Sequence, residues 1–132
     1  LVLPGATAAG EALRQLVRAH GHCLLIEQDG WVVGLATLMD LQRVITSQGG
    51  EAPLSDCRRA ELIWLPASAS LAQLEDQLSP NGLRQLPVFE QDDGPQAKLP
   101  AGVPWAGLRA DELRGMASRD GMARALARGL SG

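Results

Sequence analysis

The chain has no tyrosine, one phenylalanine and three tryptophans in 132 residues, too few flat rings for a surface that stacks successive bases. An excess of positive charge is also missing. A net charge of −3 and an isoelectric point near 5.3 exclude the concentrated Lys and Arg that displace counterions from nucleic acid. Cysteine is scarce: Cys23 and Cys57 stand far apart with no CxxC or Cys/His spacing. That leaves neither a disulfide framework nor a zinc motif, and predicts two free thiols in a reducing compartment. No run approaches the ~20 consecutive apolar residues of a membrane span, and no signal peptide precedes the first strand. Catalytic signatures are absent as well. There is no nucleophile elbow, no Gly-rich phosphate loop and no metal motif, and Ser55-Asp56-Cys57 has no nearby His, so no enzyme activity is expected.

What remains is an ordinary globular composition, 45% apolar and 20% charged, at a length that suits one core. Two stretches are variants of one phrase: Gly34-Leu35-Ala36-Thr37-Leu38-Met39-Asp40 and Gly115-Met116-Ala117-Ser118-Arg119-Asp120-Gly121. Each joins an apolar strand end to a small hydroxyl residue that opens a helix. The stretches before them, residues 7–27 and 70–90, also match in order: hydroxyl cap, helical pattern, stop, apolar strand. The chain is a tandem of one supersecondary unit, and halves of roughly 60 residues, marginal alone, are expected to fold against each other.

In the first unit Leu1-Val2-Leu3 predicts a strand, and Thr7 caps a helix reaching about His20 with Leu13, Leu16 and Val17 on its buried face. Gly21 ends it. Strands at residues 23–26 and 31–36 flank Gln28-Asp29-Gly30, the signature of a type I′ hairpin turn. A helix from Thr37 to about Ser47 stops at Gly49-Gly50. Residues 52–61 form a linker with a charged centre at Asp56, Arg58 and Arg59. The second unit, residues 62–132, predicts a strand at Leu62-Ile63-Trp64-Leu65, a helix capped by Ser68 or Ser70 and broken at Ser79-Pro80-Asn81-Gly82, and strands at residues 86–90 and 113–117. A closing helix over residues 119–130 buries Met122, Leu126 and Leu130. Where the first unit (residues 1–51) has its tight hairpin, the second inserts residues 91–111, rich in Pro and Gly and expected to be a mobile loop, with Trp105 a candidate to pin one end.

With β-α-β-β-α read twice, the phrase Gly-x-x-Thr-x-x-Asp, and Gln85-Leu86-Pro87-Val88-Phe89 before the last hairpin, the chain resembles a tandem pair of cystathionine-β-synthase (CBS) domains. The resemblance implies an α/β (α+β) fold of two repeats packed sheet against sheet, with two clefts that hold AMP, ATP or another adenosyl ligand in many relatives. It implies a regulatory module, not a catalyst, that dimerises as a disc. Residues 37–43 and 74–89 further resemble the cytoplasmic C-terminal module of a bacterial or cyanobacterial chloride channel or chloride/proton antiporter; a membrane metalloprotease or another transporter is the alternative host. A chain opening at Leu1 without Met is expected to be a piece of such a longer polypeptide, on the cytoplasmic face of a membrane.

By that resemblance Asp40 takes the ribose hydroxyls and Thr37 sits near the ribose or phosphate, with AMP, ADP or ATP as regulatory ligand and no cofactor required. The same Thr-x-x-Asp spacing is also a capping box, in which each side chain satisfies a backbone N–H. In the second phrase Gly121 replaces the carboxylate and Asp120 falls about 100° around the helix, leaving Ser118 and Arg119 as weaker candidates; Arg119 reads as a phosphate contact at a helix N-terminus or as a solvated cation. Arg58 and Arg59 read as a linker phosphate site or an exposed charge pair. Trp64, with Leu65 and Pro66, reads as an adenine wall or as core. His20 and His22 complement a helix end, without the partners a metal needs. Leu41, Val44 and Leu126 are the expected contacts of a homodimer.

Overall fold

The computed structural model describes residues 1–81, 83–90, 99–102 and 108–118. The chain opens with strand β1 (Val2–Pro4), helix α1 (Ala9–Arg18), strands β2 (Cys23–Gln28) and β3 (Trp31–Thr37), and helix α2 (Leu38–Gln48). β1 pairs parallel to β2 and β2 antiparallel to β3. The run Cys23-Leu24-Leu25-Ile26 is apolar throughout because both faces are covered. Leu24 and Ile26 meet α1 and α2, while Cys23 and Leu25 face the second unit. Asp29 (φ 54°) and Gly30 (φ 86°) supply the two positive φ values of the expected type I′ turn.

α1 differs from expectation at both ends. Its N-cap is Ala8, with no side-chain bond. The orphan N–H groups of Ala9 and Gly10 instead donate to the carbonyls of Ala52 (2.7 Å) and Gly50 (2.8 Å), so a loop distant in sequence does the work assigned to Thr7. At the other end His20, not Gly21, takes the left-handed conformation (φ 56°). The N–H groups of His20 and Gly21 close back on Val17 and Leu16 in a Schellman arrangement. Leu16 is buried and Leu13 half-buried as expected, but Val17 is exposed.

The second unit repeats the first with β5 (Leu65–Pro66), α3 (Leu71–Asn81), β6 (Leu86–Phe89) and β8 (Leu113–Ala117). β5 is parallel to β6 and β6 antiparallel to β8. Even the turn bonds recur: Gly5 N–H to Glu27 and Thr7 N–H to Pro4 in one copy, Ala67 N–H to Phe89 and Ala69 N–H to Pro66 in the other. Ser70 is the cap of α3, in a reciprocal box with Gln73. α3 runs through Pro80 to Asn81, so the expected break falls later than Ser79. The strand expected at residues 62–65 is split. Glu61–Leu62 (β4) pairs antiparallel with Leu99–Pro100 (β7), whereas Leu65 joins β6. Continuing the β5–β6 register one residue back sets Trp64 opposite Pro87, which has no N–H to donate.

The two three-stranded sheets share a core in which Cys23, Leu25, Val32 and Leu35 pack with Leu62 to Leu65, Leu74, Leu86 and Phe89. Burial of both faces holds the units together, which neither achieves alone. The linker belongs to the body, since Leu54 and Cys57 are buried under α2 and α1. Parts of the insertion are pinned as well. β7 pairs with β4, the N–H of Gly102 donates to Val33, and residues 108–110 bond to the hairpin at Gly30 and Val32. The expected loop is therefore tied at residues 99–102 and 108–110. Leu41 (0% exposed) and Val44 (6%) lie in the first unit's own core, which removes them as dimer contacts. Trp105, Leu126 and the whole of the expected closing helix at residues 119–130 lie outside the described residues, and no described helix is long and apolar enough to cross a membrane.

Candidate functional site

α2 begins where β3 ends, so a dense polar cluster forms at the seam between a buried strand and a helix N-terminus. The N–H of Asp40 donates to Thr37 Oγ1 (3.2 Å), and the N–H and hydroxyl of Thr37 donate to Asp40 Oδ2 (2.9 and 2.8 Å). This is the reciprocal capping box read from the sequence. Asp40 is 4% exposed, the one buried charged residue among those described. A carboxylate taken from water needs compensating donors, and two arginines provide them. Arg59 Nε lies 3.1 Å from Oδ2, and Arg43 Nη2 lies 3.0 Å from Oδ1. Arg59 is itself fixed by its backbone N–H, which donates to the carbonyl of Leu35.

Oδ2 thus accepts three donors and Oδ1 one. A carboxylate so engaged is not an open acceptor for a vicinal diol. One further bond fits at Oδ1, and a second requires Arg43 to swing aside. Arg43 is the partner that can, because its side chain is 71% exposed against 28% for Arg59.

Asp40 lies at the floor of a cavity of about 430 Å³ lined by Arg43, Arg58, Arg59, Ala60, Glu61 and Ile63. A second cavity, of about 510 Å³, lies beside it between the loop Pro4-Gly5-Ala6, the strand ends Ile26 to Asp29, Val33 and Arg58. A third, at the α2 N-terminus, is lined by His22, Thr37, Leu38, Met39, Gln42, Arg59 and Arg84. The first two differ in charge: three arginines stand against Asp40 and Glu61 in one, and Glu27 and Asp29 against Arg58 alone in the other.

The structure brings Thr37 and Asp40 together and adds Arg59 and Arg43, whose bonds to Asp40 the sequence reading lacked. Trp64 goes to the core: it is fully buried, edge-on to Phe89 with centroids 5.9 Å apart, while its neighbour Ile63 lines the Asp40 cavity. Ser118 is half-buried one residue past β8. Arg119, Asp120 and Gly121 lie outside the described residues. Burial pushes the Cys23 thiol up to about 12. Burial raises Cys57 as well, helped by the charges of Asp56 and Asp40. No cluster of His, Cys, Asp and Glu able to hold a metal occurs among the described residues.

No family model and no curated protein matches the sequence. Solved structures do match in fold. A CBS-domain-containing protein of Agrobacterium tumefaciens superposes with a TM-score of 0.70 at 18% identity, covering 96% of this chain and 88% of that one. CBSX2, solved in complex with AMP, gives 0.65 at 23% identity, covering 97% and 87%. A CBS-domain pair solved with 5′-methylthioadenosine and S-adenosyl-L-methionine gives 0.70 at 15%, covering 98% and 89%. The chain has the fold of a CBS-domain pair.

Proposed function

We propose that this CBS-fold pair is a non-catalytic regulatory module that takes an adenosyl nucleotide in the Asp40 cavity and passes its occupancy to an attached host. One observation carries the reading: a buried carboxylate with one approachable lone pair lies at the floor of a cavity whose other charged groups are chiefly arginines. The carboxylate suits a ribose hydroxyl and the arginines a phosphate. The likeness in fold to proteins solved with AMP, or with 5′-methylthioadenosine and S-adenosyl-L-methionine, supports the ligand class. A thermal-shift series with AMP, ADP and ATP tests it. Ligand at 100 times its dissociation constant stabilises the fold by about 2.7 kcal/mol. Loss of the matching carboxylate at Gly121 makes the Asp40 cavity the principal site, so Asp120→Ala is expected to leave the shift unchanged.

A second reading rests on a specific observation too. Both carboxylate oxygens of Asp40 and the N–H and hydroxyl of Thr37 already have partners within the chain, which is what a ligand-free structural module requires. Absence of any shift with all three nucleotides selects it.

The host and the assembly are proposed from the sequence resemblance: a chloride channel or antiporter, with this module on the cytoplasmic face of the membrane as a homodimer. Light scattering at high micromolar concentration tests the dimer, and a monomer there contradicts it. Hydrophobic spans encoded upstream of Leu1 test the host.

A further inference from the structure

Three arginines border the Asp40 cavity, and they are not equivalent. Arg43 and Arg59 both donate to Asp40. Arg58 forms no ion pair among the described residues, and it alone lines both the Asp40 cavity and the neighbouring one at Pro4-Gly5-Ala6.

Two glycines hold the Arg58 side chain between the cavities. Its stem crosses Gly34, where an added Cβ would come within 3.1 Å of Arg58 Cβ and 3.3 Å of Cδ. Its guanidinium lies over Gly102, where an added Cβ would meet Nη2 at 2.6 Å. Gly34 is the glycine that opens the Gly-x-x-Thr-x-x-Asp phrase, and Gly102 belongs to the insertion peculiar to the second unit. The glycine of the phrase thus leaves room for an arginine, and the insertion supplies the floor beneath its charge. An exposed cation with no acid partner among the described residues keeps its charge available to a ligand, whereas those of Arg43 and Arg59 are directed to Asp40.

We propose that Arg58 is the phosphate-selecting residue of this module and that, standing between two cavities, it restricts each chain to one phosphate-bearing ligand. A guanidinium drawn toward a phosphate in the Asp40 cavity is withdrawn from the neighbouring one, where Glu27 and Asp29 then face a second anion without a counter-charge. This rests on the nucleotide reading above.

The test compares AMP with adenosine, which lacks the phosphate, by titration calorimetry on the wild-type chain, Arg58→Gln and Arg58→Lys. The wild type is expected to take one AMP per chain and to prefer AMP over adenosine. Arg58→Gln should weaken AMP by about 10–100-fold, the value of a charge-assisted phosphate contact, and leave adenosine within about twofold. Arg58→Lys should recover part of the loss, because the charge returns without the planar fork. Three results overturn the inference while leaving the nucleotide reading intact: equal weakening of AMP and adenosine by Arg58→Gln, no effect on AMP, or two AMP bound per wild-type chain. If neither AMP nor adenosine binds the wild type, both readings fall together.

Discussion

Arg59 Nε lies 3.1 Å from Asp40 Oδ2, so the segment joining the two repeats is bonded to the first turn of the helix that closes the first. The bond ties the orientation of the second unit to the polar cluster at the site. Removing the carboxylate strands the partly buried Arg59 guanidinium, the backbone N–H of Thr37 and the Thr37 hydroxyl. Asp40→Ala is expected to lower unfolding stability by about 2–4 kcal/mol, combining a lost cap with lost charge-assisted bonds. Thr37→Ala, which loses only the cap, should cost about 1 kcal/mol. Urea denaturation checks both, and equal losses would contradict the role given to Arg59.

In the nucleotide reading, a ribose diol at Asp40 Oδ1 would have to displace Arg43, which donates there. Its own side chain is 71% exposed although Asp40 is buried, and a pair with one arm in solvent is worth about 1 kcal/mol. Arg43→Ala should therefore tighten adenosine binding by up to about fivefold. Weaker adenosine binding in this variant would show that Arg43 contacts the ligand instead of screening the carboxylate.

Arg109 offers a trypsin site in the insertion that the structure predicts to be poor. Its guanidinium lies 4.8 Å from the centroid of the Trp31 ring, and the bonds of Val32 N–H to Leu108 and Ala110 N–H to Gly30 hold the backbone on either side. A mobile insertion, as its composition predicts, would be cut early beside Lys98 or Arg109; Lys98 lies outside the described residues. Timed digestion read by mass spectrometry should show cleavage after Arg109 late in the wild type and severalfold earlier in Trp31→Ala, where the ring is gone. Early wild-type cleavage there would contradict the docking of residues 108–110 on the hairpin.

Alkaline titration isolates the buried thiols unusually well, since the chain has no tyrosine and one lysine. Cys23 is raised from an ordinary 9.0 to about 12. Above pH 9 the unfolded chain releases this proton while the folded chain keeps it, so the unfolded state binds fewer protons and stability falls as pH rises. The urea midpoint should decline progressively from pH 9 toward 12. Cys23→Ala, though less stable at neutral pH through its cavity, should show a shallower decline over that range. Parallel declines in the two proteins would exclude Cys23 as the cause.

The repeat was legible because both copies use local chemistry: the Asp29-Gly30 turn, the Thr37–Asp40 box and the Ser70–Gln73 box each lie within four residues. What the sequence hid is non-local. Thr7 is a competent cap, but the carbonyls of Gly50 and Ala52 reach Gly10 and Ala9 first, and no spacing announces that. Residues 62–65 have a strand's composition, yet the lack of an N–H on Pro87 and the arrival of β7 divide them between two sheets. Val17 follows the helical period but looks outward. At the site, Asp40 was found from its phrase, whereas Arg59 stands 19 residues away and joins it only because its backbone docks on Leu35.

The central claim is that the Asp40 cavity takes an adenosyl nucleotide, and calorimetry of AMP into the wild type and Asp40→Asn tests it most directly, at a temperature where circular dichroism shows both folded. The amide keeps the shape of the carboxylate but loses its charge and one acceptor. The account predicts saturable heat at roughly 100 μM affinity in the wild type, equivalent to about 5.5 kcal/mol, and binding about 10–100-fold weaker in Asp40→Asn. No heat from the wild type at millimolar AMP, or equal affinity in the two proteins, would contradict it.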